Sequence, residues 1–237
     1  MAALVLLPGL DGTGLLFKDF VASLGPEVEV VVASYPMDTV LDYSELESVA
    51  RSFLPRDRPY FLLAESFSGP IAISIAASSP PGLLGMVLSC SFVRNPLPLL
   101  GVFRSAIRVA PVALLPMALL SFLVLGRFAS PALRGELAKS LSLVLPEVLR
   151  ARARAALSVN VSSSLSRIKV PVLYLRASED RVVPRFSSEL IVSRVPHTKV
   201  VEFPAPHFLL QVLPSKAAAA VAEFMGVHSA GSGNPST

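Results

Sequence analysis

The sequence predicts an α/β protein whose mostly parallel sheet of about six strands carries helices on both faces. Short apolar segments alternate with helix-like segments along most of the chain, which is the order expected of an open α/β sheet. The apolar segments are continuous rather than alternating, as in strands that are buried on both faces. One long segment breaks this order and predicts a helical insertion. A chain of 237 residues fits one domain with such an insertion.

The predicted strands are six short apolar segments, at residues 4–7, 28–34, 60–64, 86–89, 172–176 and 199–203. Helices are predicted between them, at residues 43–53, 66–78, 185–193 and 216–225. In the first of these helices, apolar residues recur at i, i+3, i+4 and i+7 from Leu46, which gives the helix one apolar face.

The insertion is predicted to be a helical cap of residues 93–165, between the fourth and fifth strands. The remaining segments are a core of residues 1–92 and 166–228 and a disordered, small and polar tail of residues 229–237. The domain organisation is therefore one sheet-based core that carries one cap.

The centre of this cap is strongly apolar. Residues 109–126 form an apolar run of 18 residues, which is near the lower limit for a membrane span. Pro111 and Pro116 interrupt the run, so the sequence favours a helical cap over a spanning helix.

Seven arginines flank or follow the apolar centre: Arg104, Arg108, Arg127, Arg134, Arg150, Arg152 and Arg154. Basic residues beside apolar surface suit contact with an anionic membrane. The alternative is an ordinary helical cap with solvated arginines. The predicted partners of the cap are a membrane surface or a second copy of the chain.

The composition excludes several functional classes. Hydrophobic residues make up 52 % of the chain and charged residues 16 %, and the net charge is +4 without a basic run, so nucleic acid is not indicated as a partner.

The single cysteine, Cys90, lies in an apolar run and predicts a buried structural side chain without a disulfide or a C-x-x-C metal site. The apolar N-terminus lacks the basic residues of a signal peptide. We therefore expect a cytoplasmic protein, with membrane association through the cap as the alternative.

Ligands of open α/β sheets bind at the carboxyl ends of the strands, so functional residues are expected at these ends. The first strand ends in the loop LLPGLDGTG, residues 6–14. Such a loop exposes backbone N–H groups that can donate to a developing oxyanion. The glycine spacing is not G-x-G-x-x-G and no Gly-Lys-Ser/Thr follows, which excludes two types of nucleotide site. The alternative is an ordinary turn between strand and helix, in which Asp11 or Thr13 caps the helix.

The third strand ends in AESFSGP, with Ser66 between Ala64 and Ser68. A nucleophile on a sharp turn between strand and helix requires small residues two positions to either side. Ala64 and Ser68 satisfy that steric rule, although the usual pattern is G-x-S-x-G. A serine that only caps a helix is the alternative.

The last two strands supply an acid and a histidine. The fifth strand is followed by SEDRVVP, in which Asp180 is favoured over Glu179 because it leads into the next helix. His207 follows the sixth strand and is placed to act as a base. His197 and His228 do not follow strands and are predicted to be surface residues. The order Ser, Asp, His along the chain is that of a hydrolase triad.

These motifs resemble those of the α/β-hydrolase superfamily, in particular small bacterial esterase- and lipase-like serine hydrolases. The resemblance rests on LLPGLDGTG, AESFSGPIA, SEDRVVP and PHFLLQ and covers most of the chain outside the cap and tail. It implies Ser66 as nucleophile, Asp180 as acid and His207 as base. It also implies an oxyanion hole formed by the backbone N–H groups of Leu10 and Phe67, with no metal and no organic cofactor.

The expected function is hydrolysis of carboxylic esters with apolar acyl chains through an acyl-enzyme, so the expected ligand is a small-molecule ester. A thioesterase or an acyltransferase with the same triad is the first alternative, and a binding protein without catalysis is the second. The sequence departs from the family pattern at Pro8, where a histidine is common, and at Ala64 and Ser68, where glycines are usual. These departures remove no catalytic group.

Overall fold

Six parallel strands form the centre of the protein. The computed structural model describes residues 2–97 and 116–230. The strands are β1 (Ala3–Leu7), β2 (Val30–Val32), β3 (Tyr60–Glu65), β4 (Leu83–Ser89), β5 (Val172–Ala177) and β6 (Thr198–Phe203). Their order in the sheet is β2-β1-β3-β4-β5-β6, and every neighbouring pair is parallel. The predicted parallel sheet is confirmed.

Burial follows the position of each strand in the sheet. Every residue of β1 and β3 is buried, as the continuous apolar sequences predicted. Strand β2 lies at one edge and is shorter than the predicted 28–34, since β1 is its sole neighbour and Val32 is partly exposed. Strands β1 and β3 lie side by side, so the loop after β1 and the turn after β3 meet at one edge of the sheet.

Helices cover both faces of the sheet. They are α1 (Lys18–Leu24), α2 (Tyr43–Ser52), α3 (Gly69–Ala77), α7 (Arg185–Arg194), α8 (Leu209–Val212) and α9 (Pro214–Ala230). Val5 and Leu7 share a core with α2 and α3, whereas Leu4 and Leu6 point to the opposite face and share a core with α1 and α9. The alternation along β1 therefore divides the core into two layers.

The described part of the insertion is helical, as predicted. It contains α4 (Met117–Val124), α5 (Pro131–Ser142), α6 (Pro146–Ala156) and a 3₁₀ segment, Ser162–Arg167. Helices α5 and α6 each begin with a proline, which suits a first helical position because that residue needs no N–H partner. Residues 98–115, which include part of the apolar centre, lie outside the described residues, and the cap boundaries stay a prediction. None of the helices in the described ranges combines the length and apolarity needed to cross a bilayer.

The C-terminal helix is longer than the sequence predicted. Helix α9 continues to Ala230, so the predicted start of a disordered tail at residue 229 is wrong. Within this helix the ring of His228 packs edge-on against that of Phe224, with centroids 4.7 Å apart. The rest of the predicted tail, residues 231–237, lies outside the described residues.

Candidate active site

Ser66 lies on a sharp turn between β3 and α3. Its φ of 47° is in the left-handed region, which a residue with a side chain adopts only under strain. A single 3₁₀ turn, Ser66–Ser68, then leads into α3. This is the backbone geometry of a nucleophile elbow.

The carbonyl of Ser66 is held by a serine from the next strand end. Ser91 Oγ donates to the Ser66 carbonyl at 2.6 Å, and Tyr174 Oη donates to the Ser91 carbonyl at 2.6 Å. A Cβ at Gly69 would lie 1.7 Å from Ser91 Oγ. The glycine that this turn requires is therefore Gly69, one position later than in the usual pattern.

Ser68, which occupies a usual glycine position, makes contacts that glycine cannot make. Its hydroxyl donates to the carbonyl of Pro8, so it accepts the hydrogen bond from the Tyr35 hydroxyl, at 2.8 Å. Nearby, Tyr43 Oη donates to the Phe67 carbonyl at 3.1 Å, and the two rings stack. The bond from Ser68 to Pro8 joins the turn after β3 to the loop after β1, and the two tyrosines join the same turn to the segment after β2 and to α2.

His207 lies between Ser66 and Asp180. Its Nε2 is 2.8 Å from Ser66 Oγ, and its Nδ1 is 2.9 Å from Asp180 Oδ2. A carboxylate can only accept, so Nδ1 carries the proton and Nε2 accepts from the serine hydroxyl. The amides of Val182 and Val183 each donate to Asp180 Oδ1 at 2.8 Å, which fixes the carboxylate.

The surroundings of His207 act on its pKa in opposite directions. Burial lowers the pKa, whereas the charge of Asp180, its hydrogen bond and the charge of Glu65 raise it. The result is a pKa above the ordinary value of 6.5. The raised pKa keeps the ring protonated to higher pH than an ordinary histidine, and the neutral ring that a general base needs forms as the pH rises above that pKa.

The structure places Asp180, and not Glu179, against His207. The Glu179 carboxylate instead accepts from Arg127 of the cap, at 2.7 and 2.9 Å. His197 Nε2 donates to the carbonyl of Val170 at 3.0 Å. It is therefore hydrogen bonded to the backbone outside this site.

Glu65 is a neighbour of the site that sequence reasoning missed. Its side chain is buried beside Ser66 and accepts from Gln211 Nε2 at 3.0 Å. Burial raises the pKa of Glu65 to about 7; the bond from Gln211 and the charge of His207 oppose this rise, and the charge of Asp11 adds to it. A glutamate in an otherwise apolar strand was the signal that could have identified it.

Arg152 corrects the expectation of solvated arginines on the cap. Its side chain is 1 % exposed, and Nη1 donates to the carbonyls of Leu10 and Asp11 at 3.1 and 2.7 Å. Nη2 donates to the carbonyl of Pro36 at 2.8 Å. The sequence held no signal for this position, because the acceptors are backbone groups more than 100 residues away along the chain.

The two candidate oxyanion residues lie at the same edge of the sheet. Leu10 follows Gly9 in the loop after β1, and Phe67 directly follows Ser66. The Leu10 side chain packs against a small cap cluster of Val144, Val148 and Leu149. The cap thus contacts the residue whose N–H group is a candidate donor to the oxyanion.

A second cap cluster packs against residues that lie next to Asp180 and His207 in the sequence. Val124, Leu125 and Leu137 pack with Val182 and Phe208, which are close in sequence to Asp180 and His207. The N–H of Phe208 also donates to the carbonyl of Val124 at 3.1 Å. Apolar side chains of α4 and α5 therefore pack against the loops that carry Asp180 and His207.

Among the described residues, Cys90, Asp180 and His207 offer three potential metal-ligand atoms within 4.8 Å of one another. Asp180 and His207 are already hydrogen bonded to each other. Burial raises the pKa of the Cys90 thiol well above its usual range, which disfavours the thiolate that a metal needs. The Cys90 thiol is buried, as predicted for a structural cysteine.

A cavity of about 270 Å³ borders Cys90 and Asp180. Its other lining residues include Arg176 and Glu202, whose side chains pair at 2.6 Å. Ser66 and His207 do not line it. This polar cavity is therefore separate from the apolar cap walls.

Solved structures of several hydrolases resemble this one. A thermophilic esterase from Thermogutta terrifontis matches with a TM-score of 0.81 and 18 % identity, over 96 % of this chain and 91 % of that chain. An enol-lactonase from Burkholderia xenovorans LB400 matches with a TM-score of 0.81 and 15 % identity, over 95 % and 92 %. A lipase-esterase related protein from Clostridium acetobutylicum matches with a TM-score of 0.77 and 17 % identity, over 96 % and 94 %. At these identities the matches establish the fold.

A comparison with curated protein sequences found no match. The profile of the alpha/beta hydrolase family, in contrast, matches residues 4–224, which span the sheet, the cap and the candidate site. On this match and the shared fold, the chain belongs to the alpha/beta hydrolase family.

Proposed function

We propose that the protein is a serine hydrolase that cleaves carboxylic esters with apolar acyl chains. The observation that carries the proposal is the chain of hydrogen bonds from Ser66 Oγ through His207 to Asp180, with distances of 2.8 and 2.9 Å. This arrangement supplies a nucleophile, a base and a group that orients the base. The family assignment and the strained turn at Ser66 support the same chemistry.

In the proposed reaction, His207 Nε2 takes the hydroxyl proton as Ser66 Oγ attacks the ester carbonyl. The N–H groups of Leu10 and Phe67 donate to the oxyanion that forms. His207 then gives its proton to the departing alkoxide, which leaves the acyl group on Ser66. Water, activated by the same histidine, releases the acid and restores the serine. Asp180 holds the ring and stabilises its charged form.

The apolar side chains of the cap support the choice of acyl group. Val124, Leu125 and Leu137 lie beside Phe208, and Leu149 lies beside Leu10. Walls of this kind bind hydrocarbon through burial of apolar area, at about 25 cal/mol per Å². The esterase and the enol-lactonase among the similar structures are consistent with ester chemistry on this fold.

The test is covalent labelling with a fluorophosphonate, combined with hydrolysis of p-nitrophenyl esters. We expect the wild-type protein to take the label and turn over medium-chain esters. Ser66→Ala should take no label and lose on the order of 10⁶ in kcat. Ser52→Ala, an exposed position on α2, is the matched control and should behave as wild type.

Two outcomes would contradict this proposal. One is a folded Ser66→Ala variant that retains turnover. The other is a wild-type protein that takes no label. Parallel assays with acyl-CoA and with alcohol acceptors test for thioester cleavage and for acyl transfer. Either activity in place of ester hydrolysis would change the proposed reaction and leave the proposed roles of the triad unchanged.

A further inference from the structure

Arg152 is a buried cation whose hydrogen bonds go to the loop that follows β1. Its guanidinium donates to the carbonyls of Leu10 and Asp11 in that loop and to the carbonyl of Pro36 beyond β2. The residue itself belongs to α6 of the cap. Two parts of the chain that are far apart in sequence therefore meet at one side chain.

Burial of a charge is costly unless hydrogen bonds compensate it. An arginine presents its donors in a rigid planar fork, so three bonds from one guanidinium fix the relative positions of three carbonyl groups. Two of these groups belong to Leu10 and Asp11. The N–H and the carbonyl of Leu10 lie in adjacent peptide planes that are joined at its Cα. A fixed carbonyl therefore limits the φ and ψ angles open to Leu10, and with them the direction of its N–H.

The loop is shaped around the guanidinium. A Cβ at Gly12 would lie 2.4 Å from Arg152 Nη1, and the φ of Gly12 is +72°. The carbonyl of Gly12 in turn accepts from the amide of Tyr35 at 2.8 Å. A residue with a side chain at position 12 would occupy the space of the arginine and strain the backbone.

The guanidinium also contacts Tyr35, a residue that is hydrogen bonded to the turn that carries Ser66. Its Cζ lies 5.7 Å from the ring centroid of Tyr35, whose hydroxyl is bonded to Ser68. Ser68 in turn donates to the carbonyl of Pro8. One network thus joins the cap, the loop after β1 and the turn that carries Ser66.

We propose that Arg152 is a positioning residue for the oxyanion hole, through which the cap sets the direction of the Leu10 N–H group. The inference rests on the proposed acyl-enzyme mechanism. Arg152 does not touch the substrate in this role. It acts by holding the loop in the geometry that the tetrahedral oxyanion requires.

The test compares Arg152→Met, which removes the charge and the donors, with Arg152→Lys, which keeps the charge without the fork. Arg154→Met, an exposed arginine on the same helix, is the matched control. Active sites are counted with the fluorophosphonate, so that kcat refers to folded, labelled protein. We expect kcat to fall at least about tenfold in both Arg152 variants with little change in KM, because oxyanion contacts act in the transition state. Arg154→Met should keep the wild-type kcat.

A second readout separates positioning from general destabilisation. A trifluoromethyl ketone, which forms an oxyanion with the serine, should bind the Arg152 variants more weakly in proportion to their loss of kcat/KM. Arg152→Ala should regain part of its kcat when methylguanidinium is added at millimolar concentration. Loss of folded protein alone would lower the labelled fraction and leave kcat per labelled site unchanged.

Three results would overturn the inference. They are an unchanged kcat per labelled site in both Arg152 variants, a rise in KM alone, and unaltered affinity for the ketone. If Arg152→Met fails to fold, Arg152→Lys decides by the same criteria. A wild-type protein without label or hydrolysis would instead contradict the proposed function, so the two failures are distinguishable.

Discussion

At the scale of single residues, Ser68 shows how a departure from a family pattern can add a contact. Glycine at this position would satisfy the steric demand of the turn, and serine satisfies it while donating to Pro8 and accepting from Tyr35. The Tyr35 ring is buried, so its hydroxyl needs a partner inside the protein. Ser68 therefore has a structural reason to be more than a small residue.

Ser68→Gly should destabilise the protein by about 1–3 kcal/mol, because it leaves the buried Tyr35 hydroxyl without its acceptor. Urea denaturation measures this difference. Tyr35→Phe in the Ser68→Gly background should recover part of the loss, since both polar partners are then absent. Equal stability of Ser68→Gly and wild type would show that these bonds contribute nothing.

At the scale of elements, the cap is attached at both sides of the site. Helix α4 contacts the loop that carries His207, because the Val124 carbonyl accepts from the N–H of Phe208. The turn after α4 contacts the loop that carries Asp180, because Arg127 pairs with Glu179. Helix α6 contacts the loop after β1 through Arg152. The cap helices are therefore placed by the same loops that carry the reacting groups.

Leu120 of α4 offers a test of the acyl walls, since it packs with Val124 and Leu125 at this place. Leu120→Phe should shift the preference among p-nitrophenyl esters to shorter acyl chains, because the larger side chain would fill part of the proposed acyl pocket. Leu143→Phe, at an exposed position of the cap, is the control and should leave the preference unchanged. An unaltered chain-length profile in Leu120→Phe would remove this residue from the acyl wall.

The strands could be predicted because burial on both faces of a sheet gives continuous apolar segments, and α2, α3, α7 and α9 could be predicted between them. The helices of the cap were predicted only as a helical insertion, without individual bounds. Helices α1 and α8 were not predicted, because they have only seven and four residues and periodicity cannot be detected over so short a segment. The positions of Ser66, Asp180 and His207 could also be predicted, because each residue follows the end of a predicted strand. The position of Arg152 could not, because hydrogen bonds to distant carbonyls depend on the tertiary fold alone.

At the scale of the whole molecule, the buried carboxyl of Glu65 couples stability to pH. Its pKa is about 7 in the folded protein, above its ordinary value of 4.5. Between these two values the folded protein binds more protons than the unfolded chain, so the unfolding free energy falls as pH rises. This contribution is fully present below pH 4.5 and is lost above about pH 7.

Glu65→Gln should remove this part of the pH dependence, because an amide does not titrate. We expect the difference in unfolding free energy between wild type and Glu65→Gln to change most between pH 4.5 and about 7. Denaturation at a series of pH values measures it. Glu189→Gln, at an exposed residue of α7, is the control. A constant difference across that range would mean that Glu65 titrates alike in both states.

The guanidinium seated against Gly12 also bears on how caps can be exchanged between relatives of this fold. A graft that replaces residues of α6 removes the donor to the Leu10 and Asp11 carbonyls, and it leaves an empty space where the arginine lay. Chimeras designed to alter substrate range would then lose rate for every ester, whatever the fit of the new walls. A transplanted cap therefore has to bring an arginine at the equivalent place, or the recipient loop has to be redesigned with it.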